Sequence, residues 1–112
     1  MSVIVEPDAL ADHVAGRLDA YVMSVGASGA VKVMHARVEL GDDRTVRVEL
    51  GPGGVRNAND RPAITLLWPE VGDNFSLLAD AVAATADVPS EGRTWVEATV
   101  TAAVLHKAPA VS

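Results

Sequence analysis

The stretch VKVMHARVELGDDRTVRVEL, residues 31–50, decides the predicted fold because two alternating runs flank a short polar turn. In the first run every second residue is apolar, and this set is Met34, Ala36, Val38 and Leu40. The second run repeats the pattern with Val46, Val48 and Leu50. A period of two places each set on one face of a strand. The stretch therefore predicts a β-hairpin with one buried and one solvated face.

Four further segments have the composition of strands, and turn residues separate them: 18–25, 63–68, 75–87 and 94–106. The run AITLLW at 63–68 is continuously apolar, which predicts burial on both faces. The last segment is predicted to place five small apolar residues on one face, namely Val96, Ala98, Val100, Ala102 and Val104.

One helix is predicted over Glu6–Gly16, because Pro7 suits a first helical turn and Leu10 and Val14 lie four residues apart. The prediction is therefore a mainly β protein, a six-stranded antiparallel split β-barrel with one N-terminal helix and a short helical turn.

Composition limits the class of protein. A length of 112 residues predicts a single domain over 1–112, with a flexible tail at 108–112. Hydrophobic residues make up 49% and charged residues 21%, which is typical of a globular protein. The absence of cysteine excludes disulfides and thiolate ligands, and it fits a cytoplasmic location.

Charge and hydropathy argue against several partners. A net charge of −6 repels phosphate backbones, so no nucleic-acid partner is expected. No segment reaches the roughly 20 apolar residues of a membrane helix, so no membrane span is expected. His13, His35 and His106 are far apart in the sequence and lack metal-ligand spacing, so no metal site is predicted.

The segment GPGGVRNAND, residues 51–60, has two interpretations. Glycines let backbone N–H groups approach an anion closely, Arg56 adds a fixed positive charge, and Asn57 and Asn59 add amide donors. The segment would then hold a small anionic ligand. The alternative is a solvated loop with one helical turn, since no established phosphate-binding spacing is present.

His35 and Arg37, two residues apart on one strand face, also have two interpretations. They either line a pocket for an anionic or aromatic ligand or lie on an exposed face.

The order of the segments resembles the pyridoxamine 5′-phosphate oxidase-like family of flavin-binding split β-barrels. A helix precedes a hairpin, and an exposed loop follows the third strand. The resemblance then rests on three stretches: ANDRPAITLLW at 58–68, FSLLADAVAATADV at 75–88 and TWVEATVTAAVLHKAP at 94–109.

This resemblance implies a homodimer with FMN bound in a groove between the subunits. Side chains of the second strand and of the loop after the third strand would hold the flavin phosphate. At the corresponding positions this chain has Lys32, His35 and Arg37 on the strand, and Gly54, Arg56, Asn57 and Asn59 in the loop. Gly54 stands where the family typically carries a serine or threonine.

The resemblance also implies a function. It predicts a flavin-binding protein, an FMN-dependent oxidoreductase acting on an unidentified small molecule. A deazaflavin, a haem-related ligand or no cofactor remains open in place of FMN. The alternative function is a non-catalytic dimeric split-barrel module that has lost tight cofactor binding. No catalytic residue is assigned by the sequence.

Overall fold

Eight strands and two short helices form the part of the chain that the computed structural model describes, residues 2–17, 19–72 and 74–108. The first half contains β1 (Ser2–Val5), a 3-10 turn (Pro7–Ala9), α1 (Leu10–Val14), β2 (Ala20–Val25), β3 (Val31–Ala36), β4 (Val38–Leu40) and β5 (Thr45–Leu50). The second half contains α2 (Pro52–Asp60), β6 (Ala63–Trp68), β7 (Ser76–Ala83) and β8 (Thr94–His106). Leu18 and tail residues 109–112, on which sequence predictions fell, lie outside the described residues.

The strands form one antiparallel sheet in the order β3-β2-β6-β7-β8-β5-β4. The thirteen-residue β8 organises this sheet, because β7 pairs along one of its edges. On the other edge β5 pairs with residues 94–99 and β1 with residues 103–106. The mainly β, antiparallel split-barrel class predicted from sequence is confirmed, with eight strands in the described residues where six were predicted.

The first extra strand arises because the predicted strand at 31–40 breaks at Arg37. Residues before the break pair with β2, and residues after it pair with β5. The carbonyl of Arg37 accepts the N–H of Glu49 at 3.0 Å, which directs the chain toward β5. Ala36 is buried, but Leu40, predicted to face the core, is 37% exposed. The other extra strand is β1, which precedes the predicted helix and pairs with the end of β8.

A β-bulge in β8 corrects the predicted burial pattern of that strand. Asp80 pairs with Ala102, whereas the next residue of β7, Ala81, pairs with Val100. Thr101 is therefore an extra residue, and the side chains after it change faces. Ala103 is buried at 4% exposure, whereas Ala102 is exposed, so the prediction that Ala102 and Val104 share a face with Val96, Ala98 and Val100 is wrong.

The core lies between the concave face of the sheet and α2. It contains alternate residues of β5, β6 and β7, including Val48, Leu66 and Leu77, each fully buried. Trp68 is 1% exposed and ends β6 inside this core. The run 63–68 is buried on one face only, since Thr65 and Leu67 are half-buried on the other.

The predicted N-terminal helix is shorter than expected. Its first turn is a 3-10 turn, and α1 ends at Val14, with Leu10 as its buried residue. Asp8 in this turn forms an ion pair with Arg44 of the β4–β5 turn at 2.8 Å. The hydrogen bond from Arg44 and its charge lower the pKa of the Asp8 carboxyl below its ordinary value. Both side chains are exposed, so this pair contributes little to stability.

The convex side of the sheet is largely apolar over β1, β2, β3, β6, β7 and the end of β8, and this part is here called the outer face; the convex positions of β4, β5 and the start of β8 carry Glu39, Arg47 and Glu97. Directly paired residues of neighbouring strands form rows of side chains across this face. Three of its apolar side chains are strongly exposed: Ile4 at 80%, Val31 at 64% and Val33 at 60%. The outer face also contains Met23, Tyr21, Leu67, Leu78, Ala102 and Val104. Asp80 is the one charged residue that β6 and β7 contribute, and its carboxylate accepts a hydrogen bond from Thr65 at 3.1 Å.

Across residues 2–17, 19–72 and 74–108, no helix has the length and apolar character needed to cross a membrane.

Candidate functional site

Residues 51–60, predicted to be either an anion cradle or a loop with one helical turn, form the nine-residue helix α2. Gly51 precedes it in an extended conformation, and Pro52 occupies its first turn. The N–H of Val55 donates to the carbonyl of Gly51 at 3.0 Å. The earlier N–H groups, of Gly53 and Gly54, have no partner within the helix because of helix geometry. Together with the helix dipole they make this end attractive to anions.

Gly54 allows α2 to approach the sheet closely. A Cβ atom at this position would lie 3.1 Å from Met34 Cε and 3.3 Å from Leu50 Cβ, both closer than ordinary packing. Val55 and Ala58 on the same side of the helix are buried in the core. Burial of these side chains offsets the low helix propensity of a segment with two glycines and two asparagines.

A cleft of about 400 Å³ opens at the N-terminus of α2. Its volume falls within the range of small-molecule sites. It is lined by Met34, His35, Glu49, Leu50, Gly51, Pro52, Gly53, Gly54 and Arg93.

The charged side chains of this cleft have opposite signs. Arg93 lies at the end of the loop before β8, and its Nη1 donates to the backbone carbonyl of His35 at 3.5 Å. Glu49 lines the same cleft from β5 and is half-buried. Arg93 and the helix N-terminus therefore attract an anion, and Glu49 limits how strongly they do so.

His35 lies between this cleft and a second one of about 470 Å³. The second cleft is lined by Val14, Arg17, Asp19, His35, Val38 and Trp68. The His35 ring stacks on Tyr21, with ring centroids 5.0 Å apart and an interplanar angle of 28°. Arg17 donates to the backbone carbonyls of His13, Pro69 and Phe75. The two clefts thus share His35. The first contains a helix N-terminus, and the second combines the apolar Val14 and Val38 with the charged Arg17 and Asp19.

The structure brings two of the predicted site residues together in the first cleft, His35 and Gly54. Lys32, Arg37, Arg56, Asn57 and Asn59 do not line it. Lys32 pairs with Ser24 of β2, and Arg56 is exposed on α2. The amide of Asn57 approaches the turn at Gly26.

Asn59 makes two hydrogen bonds with the backbone of Ala86. Its Nδ2 donates to the carbonyl at 2.8 Å, and its Oδ1 accepts the N–H at 3.0 Å.

Ser24 is a buried polar residue without a hydrogen bond. It is 2% exposed, and its hydroxyl has no hydrogen-bond partner among the described residues. Direct cross-strand partners share a face, so Ser24 lies on the same side of the sheet as Lys32.

Sequence reasoning did not identify Arg93, Glu49 or Met34 as residues of the cleft. Arg93 is the last residue of DVPSEGR, residues 87–93, which separates two of the predicted strands, and it is 39 positions beyond Gly54. The signal for it is strand pairing, because Leu50 pairs with Thr94 and therefore places Gly51 beside Arg93. A prediction of individual strands without their pairing does not contain this information.

Comparison with known proteins gives no match to any family model, and no curated protein matches either. Solved structures do match. A structure named "F420 Reductase" superposes with a TM-score of 0.63 at 12% identity, covering 78% of this chain and 89% of the other. A "Putative pyridoxamine 5'-phosphate oxidase" from Corynebacterium glutamicum ATCC 13032 Kitasato gives a TM-score of 0.62 at 11% identity, covering 97% of this chain and 96% of the other. The chain therefore has the split-barrel fold of pyridoxamine 5′-phosphate oxidase-like proteins.

Proposed function

We propose that this chain binds a phosphorylated flavin, FMN, and acts as an oxidoreductase on a small molecule. The carrying observation is the pair of clefts that share His35, with the N-terminus of α2 and Arg93 in the first and the apolar side chains of Val14 and Val38 in the second. FMN has the matching polarity, since a dianionic phosphate and an apolar ring system occupy its two ends. The two similar structures, named as an F420 reductase and a pyridoxamine phosphate oxidase, support a ligand of the flavin or deazaflavin class.

The phosphate would lie at the N-terminus of α2. The free N–H groups of Gly53 and Gly54 would donate to its oxygens, and Arg93 would add a charge-assisted hydrogen bond. Gly54 fits this role because a side chain there has no room. The backbone of His35, whose carbonyl accepts from Arg93, would lie beside the ligand, while the His35 ring stacks on Tyr21 on the outer face. The bound flavin would supply the hydride chemistry.

The part predicted for Lys32, Arg37, Arg56, Asn57 and Asn59 in holding the phosphate stays a prediction. So do the cytoplasmic location and the absence of a nucleic-acid partner.

Binding of FMN by the wild-type chain is the first expected result. Riboflavin is the matched control ligand, because it carries the same ring without the phosphate. We expect saturable quenching of FMN fluorescence. Riboflavin should bind at least about tenfold more weakly, since the loss of one charge-assisted hydrogen bond lowers an affinity by about this factor. The affinity for a reduced deazaflavin, measured in the same titration by its competition with FMN, distinguishes a flavin-binding protein from a deazaflavin-binding one. No saturable binding of any of them would contradict the proposal and favour the non-catalytic module.

Arg93→Ala is expected to weaken FMN binding by about one to two orders of magnitude, because a charge-assisted hydrogen bond contributes about 1.5–3 kcal/mol. Arg56→Ala is the matched control, since Arg56 is also exposed but lies outside the cleft. We expect its effect to be smaller than that of Arg93→Ala. The same fluorescence titration measures both. A larger effect at Arg56 would place the phosphate on the exposed side of α2 and contradict the assignment to the cleft.

We also propose that the protein is a homodimer joined through the outer face. This surface exposes large apolar side chains, which monomers rarely leave uncovered over a wide area. Two copies of a chain with net charge −6 repel each other, and the outer face is where the fewest charges would meet. A twofold axis would pair this surface with itself.

A further inference from the structure

We propose that Asn59 is a positioning residue, which holds the loop before β8 so that Arg93 lies at the anion end of the cleft. This inference rests on the proposed binding of a phosphorylated ligand. It gives Asn59 a role different from the direct phosphate contact expected from sequence, because its amide already pairs with Ala86.

The side-chain amide of Asn59 bonds the backbone of Ala86 in the way that the backbone of a neighbouring strand would. Its Nδ2 and Oδ1 satisfy both backbone groups of Ala86, at 2.8 and 3.0 Å. Ala86 is half-buried and packs against the core, so the contact is partly shielded from water. Asn59 is itself half-buried on α2, the helix whose first turn forms the cleft. The bonds therefore tie the loop to the element that would bind the anion.

Beyond Ala86 the loop has little else to hold it. In the described part of the chain, no backbone hydrogen bond joins residues 87–93 to another element. Most side chains of this segment are exposed, and Gly92 has a φ of +71°. Arg93 contacts the His35 carbonyl at 3.5 Å, near the limit for a hydrogen bond. The segment is thus fixed by Ala86 at one end and by the start of β8 at the other.

Hydrogen exchange of the unliganded protein tests the positioning without reference to any ligand. Asn59→Ala is compared with Asn57→Ala, a control of the same residue type on the same helix. Loss of two hydrogen bonds is expected to raise exchange by about tenfold or more at Ala84 and Ala86, the amides of this loop that donate hydrogen bonds, with the control near wild type. Unchanged exchange in Asn59→Ala, or an equal rise in Asn57→Ala, would overturn the inference.

FMN titration then tests the consequence for binding. We expect Asn59→Ala to weaken FMN binding by less than Arg93→Ala does, because the pairing of Leu50 with Thr94 still places Arg93 near the cleft. Riboflavin binding should be unchanged, because the effect passes through the phosphate contact. The double variant should be no weaker than Arg93→Ala alone. Additive losses, or an equal loss for riboflavin, would overturn the positioning role. If the wild type binds no FMN, the proposed function fails, and the exchange experiment alone decides whether Asn59 holds the loop.

Discussion

Arginine in place of Ala102 is expected to convert the proposed dimer into a folded monomer. Ala102 is exposed on the outer face, beside Asp80, so the change removes no buried apolar group. In a symmetric interface the substitution inserts a long side chain from each copy into a close apolar contact; Asp80 offsets part of its charge, so the loss comes from the added bulk and from desolvation of two guanidinium groups, which costs several kcal/mol per ion. The dimer dissociation constant should rise at least about 100-fold. Light scattering across a dilution series measures it.

The control for this experiment is Ala11→Arg, which adds the same charge at an exposed position of α1. It should leave the dissociation constant near that of the wild type. Thermal unfolding of both variants checks that neither loses its fold. A wild type that remains monomeric at high concentration, or an Ala102→Arg variant that remains dimeric, would contradict an interface through the outer face.

Strand faces were predictable where a strand pairs regularly along its whole length. The alternation of Val46, Val48 and Leu50 in β5 correctly predicts three buried residues, because one face of that strand meets the core. The same rule fails in β8 after Thr101. The bulge there is set by pairing with β7, and the local alternation of small apolar residues continues through it without a break. Periodicity within one segment cannot detect an extra residue relative to its partner.

The helical character of residues 51–60 was also only partly predictable. Three glycines and two asparagines give the segment a low helix propensity, and Pro52 is the one strong signal for a helix start. What extends the helix to nine residues is burial of Val55 and Ala58 against the sheet. That contribution comes from tertiary packing, which local sequence reasoning does not include.

The residues of the candidate site were likewise only partly predictable from the sequence. His35 and Gly54 were predicted both from their residue context, a strand face and a glycine-rich segment, and from the family resemblance. Arg93 was missed because only the pairing of β5 with β8 places it beside the first turn of α2. The structure also gives a physical reason for the glycine at position 54, where the family typically has a hydroxyl side chain. Met34 fills the space that a side chain there would need.

The crowding around Gly54 leads to the second prediction, a large difference between valine substitutions at two adjacent glycines of α2. A Cβ at Gly54 would meet Met34 Cε at 3.1 Å and Leu50 Cβ at 3.3 Å, whereas a Cβ at Gly53 would meet nothing within 4 Å. Met34 has a flexible end that can move, but Leu50 Cβ is fixed to the backbone of β5. Overpacking of this kind typically costs 1–3 kcal/mol. We expect Gly54→Val to lower the free energy of unfolding by about this amount relative to Gly53→Val, as measured by urea denaturation.

A compensating substitution separates overpacking from a general intolerance of valine in this helix. Met34→Ala removes the side chain that would collide with position 54, so the double variant Gly54→Val with Met34→Ala should recover part of the lost stability. Gly53→Val with Met34→Ala should recover none, because Gly53 has open space around it. Equal stability of Gly53→Val and Gly54→Val would mean that α2 is not held close to β3 and β5. The N–H groups of its first turn would then not be fixed beside Arg93, and the anion end of the cleft would lose its structural basis.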